Sequence, residues 1–157
     1  HLRDPINYDF RPKPDSPLVD AGVKTTEYDL PSKDSNFNGT RYEGYAPDIG
    51  AYESDGDYYW IPGRLESITT TPVPKDKAVS VPLNASLMFL RAHKAQSHEV
   101  WFGTDPKNLK LIKKLLDHNN VIKIPTFEPN KKYFWRVDAN IGNAINRGNV
   151  WSFSTSN

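Results

Sequence analysis

Prolines and glycines interrupt this chain so often that few segments are left long enough for a helix: thirteen prolines and nine glycines fall within 157 residues. A proline inside a helix removes a hydrogen bond and clashes with the preceding turn, and a glycine there costs backbone entropy. Short strands joined by turns use both residues readily. The punctuation is uneven, however. Residues 1–66 hold short apolar stretches such as "SPLVDAG" and "DIGAYE" between turn-rich pieces, "RPKPDS" and "KDSNFNG". They read as irregular β and loop, with too little apolar material for a core of their own.

From about Thr69 strand candidates recur at regular spacing: "ASLMFL" (85–90), "HEVWFG" (98–103), "NVIKI" (120–124), "KYFWRVDA" (132–139) and "NVWSFST" (149–155). In the fourth, Tyr133, Trp135, Val137 and Ala139 alternate with Phe134, Arg136 and Asp138, the period of a half-buried strand. The pattern predicts a seven-strand antiparallel sandwich with Leu87, Phe89, Val100, Phe102, Tyr133, Trp135, Val137, Trp151 and Phe153 facing inward. One segment is ambiguous. "DPKNLKLIKKLLDH" (105–118) spaces Leu109, Ile112, Leu115 and Leu116 as a short amphipathic helix would, after an Asp105 cap. In a sandwich the same residues make an edge strand whose lysines discourage edge pairing, and a strand is expected over 109–114.

Bulk properties exclude several classes. Apolar residues at 37% and charged residues at 25% suit a globular chain better than a disordered one. A formal charge of +1 favours neither nucleic acid nor an anionic membrane as partner, and no run approaches the roughly 20 apolar residues of a membrane span. The absence of cysteine rules out disulfides and thiolate metal sites. The chain starts at His1, which is read as the mark of a fragment or processed product.

"TPVPKDKAVSVPLNASLMF", "HEVWFGTDPKNL", "FEPNKKYFWRVDA" and the closing "GNVWSFSTS" together resemble the fibronectin type III sandwich appended to bacterial extracellular polysaccharide-degrading proteins. Phe127 stands six residues before Tyr133, the spacing of that family's tyrosine corner, in which the ring packs inward and the hydroxyl ties down the preceding turn. Phe89 occupies a position on the second strand where the family often has Trp. "YDFRPKPDSPLVDAG", a variable turn and "FNGTRYEGYAPDIGAYE" are similar to the closing rungs of right-handed parallel β-helix proteins, among them relatives of chondroitinase B and alginate lyase. The two resemblances imply an all-β chain: terminal turns of a parallel β-helix over 1–66, including a linker, and a fibronectin III-like sandwich over 67–157. They also imply a secreted or bacterial cell-surface protein. Rungs of a stack bury one another, so the partner implied is the set of upstream rungs, with a polysaccharide as the ligand of the whole.

No catalytic constellation is legible. β-Elimination on a uronic-acid polysaccharide needs a base and a group that neutralises the carboxylate, and in lyases of this fold both sit on rungs upstream of the matched residues. His1, His93, His98 and His118 share no metal-ligand spacing; His93 and His98 flank a turn between strands and read as solvated surface. Asp34, Asn36 and Asn38 before Gly39 match the first half of a calcium loop, but Tyr45 stands where the bidentate glutamate belongs. Ordinary loops use the same residues to reach left-handed backbone angles, and that is the stronger reading. Tyr58, Tyr59, Trp60 and Trp101 are the candidates for stacking on sugar rings. For the first three, the rival role of capping the open end of a stack and gluing the sandwich to it is preferred, because an uncapped end exposes apolar surface and unpaired backbone. The expected function is thus a non-catalytic C-terminal region of a β-helix polysaccharide lyase-like protein. A carbohydrate-binding or adhesion module, or an inert spacer, is the alternative.

Overall fold

The computed structural model describes residues 1–23, 42, 44–56, 58, 59, 61, 64, 66–116 and 119–157. They fall into two compact units, His1–Gly56 and Asp57–Asn157, and the structure is almost entirely β. The first unit contains an antiparallel pair, β1 (Leu2–Asp4) and β2 (Asp9–Pro12), joined by a 3-10 turn at Pro5–Asn7. Pro5 suits the first position of that turn, where no amide hydrogen bond is lost. Tyr8 leaves it through a left-handed conformation, φ 75°. Residues 16–22 and 45–50 then run antiparallel, tied by Gly22 N–H to Pro47 O at 2.7 Å and by Ile49 N–H to Leu18 O at 2.8 Å. Among the described residues this unit has no parallel ladder.

Among the described residues the second unit has nine strands: β3 (Thr70–Val73), β4 (Ala78–Val81), β5 (Ser86–Leu90), β6 (Ser97–Gly103), β7 (Lys110–Leu116), β8 (Val121–Lys123), β9 (Lys132–Ile141), β10 (Ala144–Asn146) and β11 (Trp151–Thr155). One sheet has the order β3-β5-β8; the other runs β4-β11-β9-β6-β7, with β10 folded back on β9. All pairings are antiparallel except β4 with β11. That exception explains why nine strands form where seven are expected. Asp76 accepts the Ser152 amide at 2.8 Å and Lys77 N–H donates to Ser152 O at 2.7 Å. Together they hold the incoming chain beside β11 as an extra edge. The second addition, β10, is a short return of the β9 hairpin.

The ambiguous segment is the edge strand β7, and no helix passes through 105–116. Only Leu115 of its side chains is buried, so the helical spacing of its leucines has no apolar surface to pack on. The sandwich core lies between the two sheets. Leu87 and Phe89 from β5 and Ile122 from β8 meet Val100, Tyr133, Trp135, Val137, Trp151 and Phe153 from the larger sheet, with Phe102 packed at its margin. Trp135 and Trp151 contact edge to face with ring centroids 4.8 Å apart. Phe127, Tyr133 and Phe153 form a second aromatic cluster, with centroids 5.1–5.5 Å apart. Offset and edge-on contacts of this kind add about 0.5–1.5 kcal/mol per pair to the area buried. The Tyr133 hydroxyl accepts the Glu128 amide at 3.0 Å, which fastens the turn before β9 as the spacing from Phe127 leads one to expect.

Candidate functional site

Acidic side chains of the first unit are turned onto its own backbone. Asp20 Oδ1 accepts the amides of Tyr45 at 2.6 Å and Ala46 at 2.9 Å. Asp48 accepts the amide of Asp20 at 2.9 Å through Oδ1 and that of Ser54 at 2.6 Å through Oδ2. The two carboxylates thereby lock "VDAG" and "APDIG" against each other. Gly44 is required in this arrangement, since its φ is +90° and a Cβ there would lie 2.5 Å from Asp20 Oδ1. Nearby, Asp9 and Arg11 make a buried two-pronged ion pair, 2.9 Å and 2.7 Å. Arg3 reaches the carbonyls of Pro12 at 3.1 Å and Ser54 at 2.8 Å. Burial, then the neighbouring Arg11 charge, lower the Arg3 pKa. These groups hold a loop-rich fold in place, since a buried polar group left unpaired is costly.

The aromatic candidates separate. Tyr59 is buried, and its backbone is clasped by Asn120, a fully buried residue just ahead of β8. Asn120 Oδ1 accepts the Tyr59 amide at 2.7 Å, while its Nδ2 donates to the carbonyls of Tyr59 and Phe89, each at 2.6 Å. One carboxamide thus imitates a strand, bonding both backbone groups of Tyr59. Tyr58 is half-buried, and Trp60 lies outside the described residues. Asp34, Asn36 and Asn38 lie outside them as well; among the described residues no three potential ligands cluster as a metal site would require.

Trp101 is elsewhere, on the outward face of the larger sheet. It sits opposite Arg136, whose guanidinium lies 5.2 Å from the centre of the indole. Arg136 is itself fixed by two bonds to Asp138, 2.8 Å and 2.9 Å, and Asp138 also accepts the Gly148 amide at 3.0 Å. A Cβ on Gly148 would collide with the Val137 carbonyl, so glycine is what lets the chain cover this pair. On the same face Lys132 stands 5.3 Å from the Phe134 ring. The alternation of β9 foretells the outward direction of Arg136 and Asp138. Their burial depends on the return of the chain through Gly148, which no local pattern announces.

His98 corrects the sequence reading. It is not solvated surface but wholly buried within β6, against the Phe89 ring at 5.3 Å. Its Nε2 accepts the Ala92 amide at 3.3 Å, and its Nδ1 has no partner among the described residues. Burial, helped by the Arg91 charge, pulls its pKa down from 6.5 to about 4. His93, on the turn, is exposed as expected, and its amide donates to Glu66 O at 2.7 Å.

Comparison with known proteins finds no matching family and no matching curated protein. Likenesses to solved structures include these two. One is to FN3tt mut, 17% identical over 57% of this chain and 96% of that one, with a TM-score of 0.39. The other is to a beta-1,2-glucanase from Parabacteroides distasonis, 15% identical over 62% of this chain, with a TM-score of 0.39. This chain spans 14% of the glucanase. At that overlap neither structure bears on the activity of this one. No helix among the described residues is long and apolar enough to cross a membrane.

Proposed function

We propose that this chain is a non-catalytic C-terminal region of a secreted β-helix protein of the polysaccharide lyase-like type. Residues 1–66 complete its stack, and residues 67–157 add a fibronectin III-like accessory domain. One observation carries the scaffold reading: the first unit leaves a series of large apolar side chains uncovered. Ile6 is 75% and Tyr45 77% exposed, and Tyr8 and Phe10 stack on each other in the open. So many exposed apolar groups on so small a unit fit a surface made to be covered by further rungs. The bond from the Glu128 amide to the Tyr133 hydroxyl supports the accessory-domain reading.

Hydrogen exchange tests the proposal, comparing this chain with a longer one that includes upstream rungs. Amides of 1–56 should gain strong protection in the longer chain, and only the longer chain should release unsaturated uronate from an acidic polysaccharide. Full protection of 1–56 in the short chain, or product release by it, contradicts the proposal. A carbohydrate-binding module is the rival, favoured by Trp101 and Phe134 on one outward sheet face. Loss of oligosaccharide binding in Trp101→Ala, with folding intact, decides for that rival.

A further inference from the structure

Strand β7 is the end strand of the larger sheet: β6 pairs with one side of it, and no strand among the described residues pairs with the other. An unpaired edge is a template for another strand, and proteins commonly protect such edges with charge. Lysines at 110, 113 and 114 look like that protection. Protection alone does not account for the apolar residues between them. Leu111 is 47% exposed, Ile112 42% and Leu116 65%. A strand meant only to repel neighbours has no use for a row of uncovered branched side chains.

The register shows how the two kinds of residue are displayed. A bulge falls between the pairs Val100↔Lys113 and Trp101↔Leu111, leaving Ile112 as the extra residue of β7. Leu111 and Lys114 therefore share the outward face with Trp101 and Glu99, while Lys110 and Lys113 lie on the other side of the strand. Each side of the edge offers positive charge, with apolar surface beside it. Lys114 is in contact with Glu99 at 3.4 Å; Lys110 and Lys113 have no ion-pair partner among the described residues.

We propose that the β7 edge is a docking site for an extended acidic segment of another protein, which adds to the sheet as a further strand. Backbone hydrogen bonds would supply affinity, and alternate side chains would supply selectivity. Charge decides the occupant. A second copy of this chain, paired antiparallel about the middle of β7, would set Lys113 against its own counterpart, and like charges directly opposite destabilise a pair of strands. An acidic partner strand instead meets Lys110 and Lys113 with opposite charge, while its apolar residues cover Leu111, Ile112 and Leu116. Nothing in this proposal depends on the β-helix reading of the first unit.

Isotope-labelled full chain, titrated with a capped peptide alternating glutamate and valine, provides the test. Resonances of 110–116 should shift and their amides should exchange more slowly, with binding that weakens as salt is raised. A lysine–valine peptide should leave them unchanged, and so should the acidic peptide N-methylated along its pairing edge. Lys113→Glu, at an exposed position, should weaken acidic-peptide binding by roughly threefold or more. Three results overturn the proposal: unchanged β7 amides with the acidic peptide, equal binding of its N-methylated form, or a dimer in sedimentation whose protected amides are those of β7.

Discussion

Asn120 illustrates how one side chain can replace an element. Its carboxamide meets two backbone groups of Tyr59 and one of Phe89, and the residue is fully buried. Asn120→Ala removes all three bonds and strands their partners, so it should cost on the order of 3 kcal/mol in urea denaturation. His98 makes the residue scale pH-dependent. Its value in the fold is about 4, against 6.5 for a free imidazole. Between these values the unfolded chain binds the proton and the folded one does not. Stability is therefore full above pH 6.5, falls as the pH drops toward 4, and levels below it as far as this group is concerned. The span amounts to ~3 kcal/mol. Denaturation midpoints between pH 7 and pH 4 should track it, and His98→Phe should flatten that slope while wild-type core packing is largely kept. Neither residue was legible beforehand. Asn120 reads only as the first residue of the strand candidate 120–124, and a histidine beside a turn reads as surface. Only the fold reveals that the chain near Tyr59 covers one and that Leu115, Ala139 and Phe89 enclose the other.

At the scale of elements the sequence speaks more clearly, because a strand writes its burial into every second residue. Tyr133, Trp135, Val137 and Ala139 are all buried, and β5, β6, β8, β9 and β11 lie within two residues of their expected bounds. The edges were harder to foresee. β3 and β4 are only four residues each, pair with one partner strand apiece, and bury their apolar residues without alternation: Val73 at the end of β3, Ala78 and Val81 at the two ends of β4. The tyrosine corner was legible, since it requires only a spacing and a hydroxyl. Tyr133→Phe keeps the ring in its aromatic cluster and releases the Glu128 amide. It should lower stability by about 1 kcal/mol without altering the far-ultraviolet spectrum. A loss near zero would mean that water replaces the hydroxyl at the turn.

For the whole molecule, the question is where one folding unit ends and the next begins. The change in composition suggests a boundary at 66/67, but the sandwich holds the chain further upstream. Tyr59 is clasped by Asn120, Glu66 forms a bridge with Ala92, and the His93 amide donates to Glu66 O at 2.7 Å. A fragment 67–157 would leave the fully buried Asn120 without its Tyr59 partners and the β5–β6 turn without Glu66. A fragment 57–157 keeps them. Both should unfold cooperatively, since the aromatic core is intact in each, but the longer one should be more stable by roughly 2–4 kcal/mol, the scale of a few buried polar groups losing their partners. Residues 1–56 alone should show little exchange protection. Their order rests on carboxylates such as Asp20 and Asp48 bonded to backbone, while Ile6, Tyr8, Phe10 and Ile49 are uncovered. Polar clasps fix a conformation that apolar burial has already made favourable, and among the described residues of this piece no Val, Leu, Ile, Phe, Tyr or Trp is buried. Equal midpoints for the two sandwich fragments in guanidinium denaturation would show that residues 57–66 contribute nothing to the sandwich, and the Asn120 clasp would then have no energetic role.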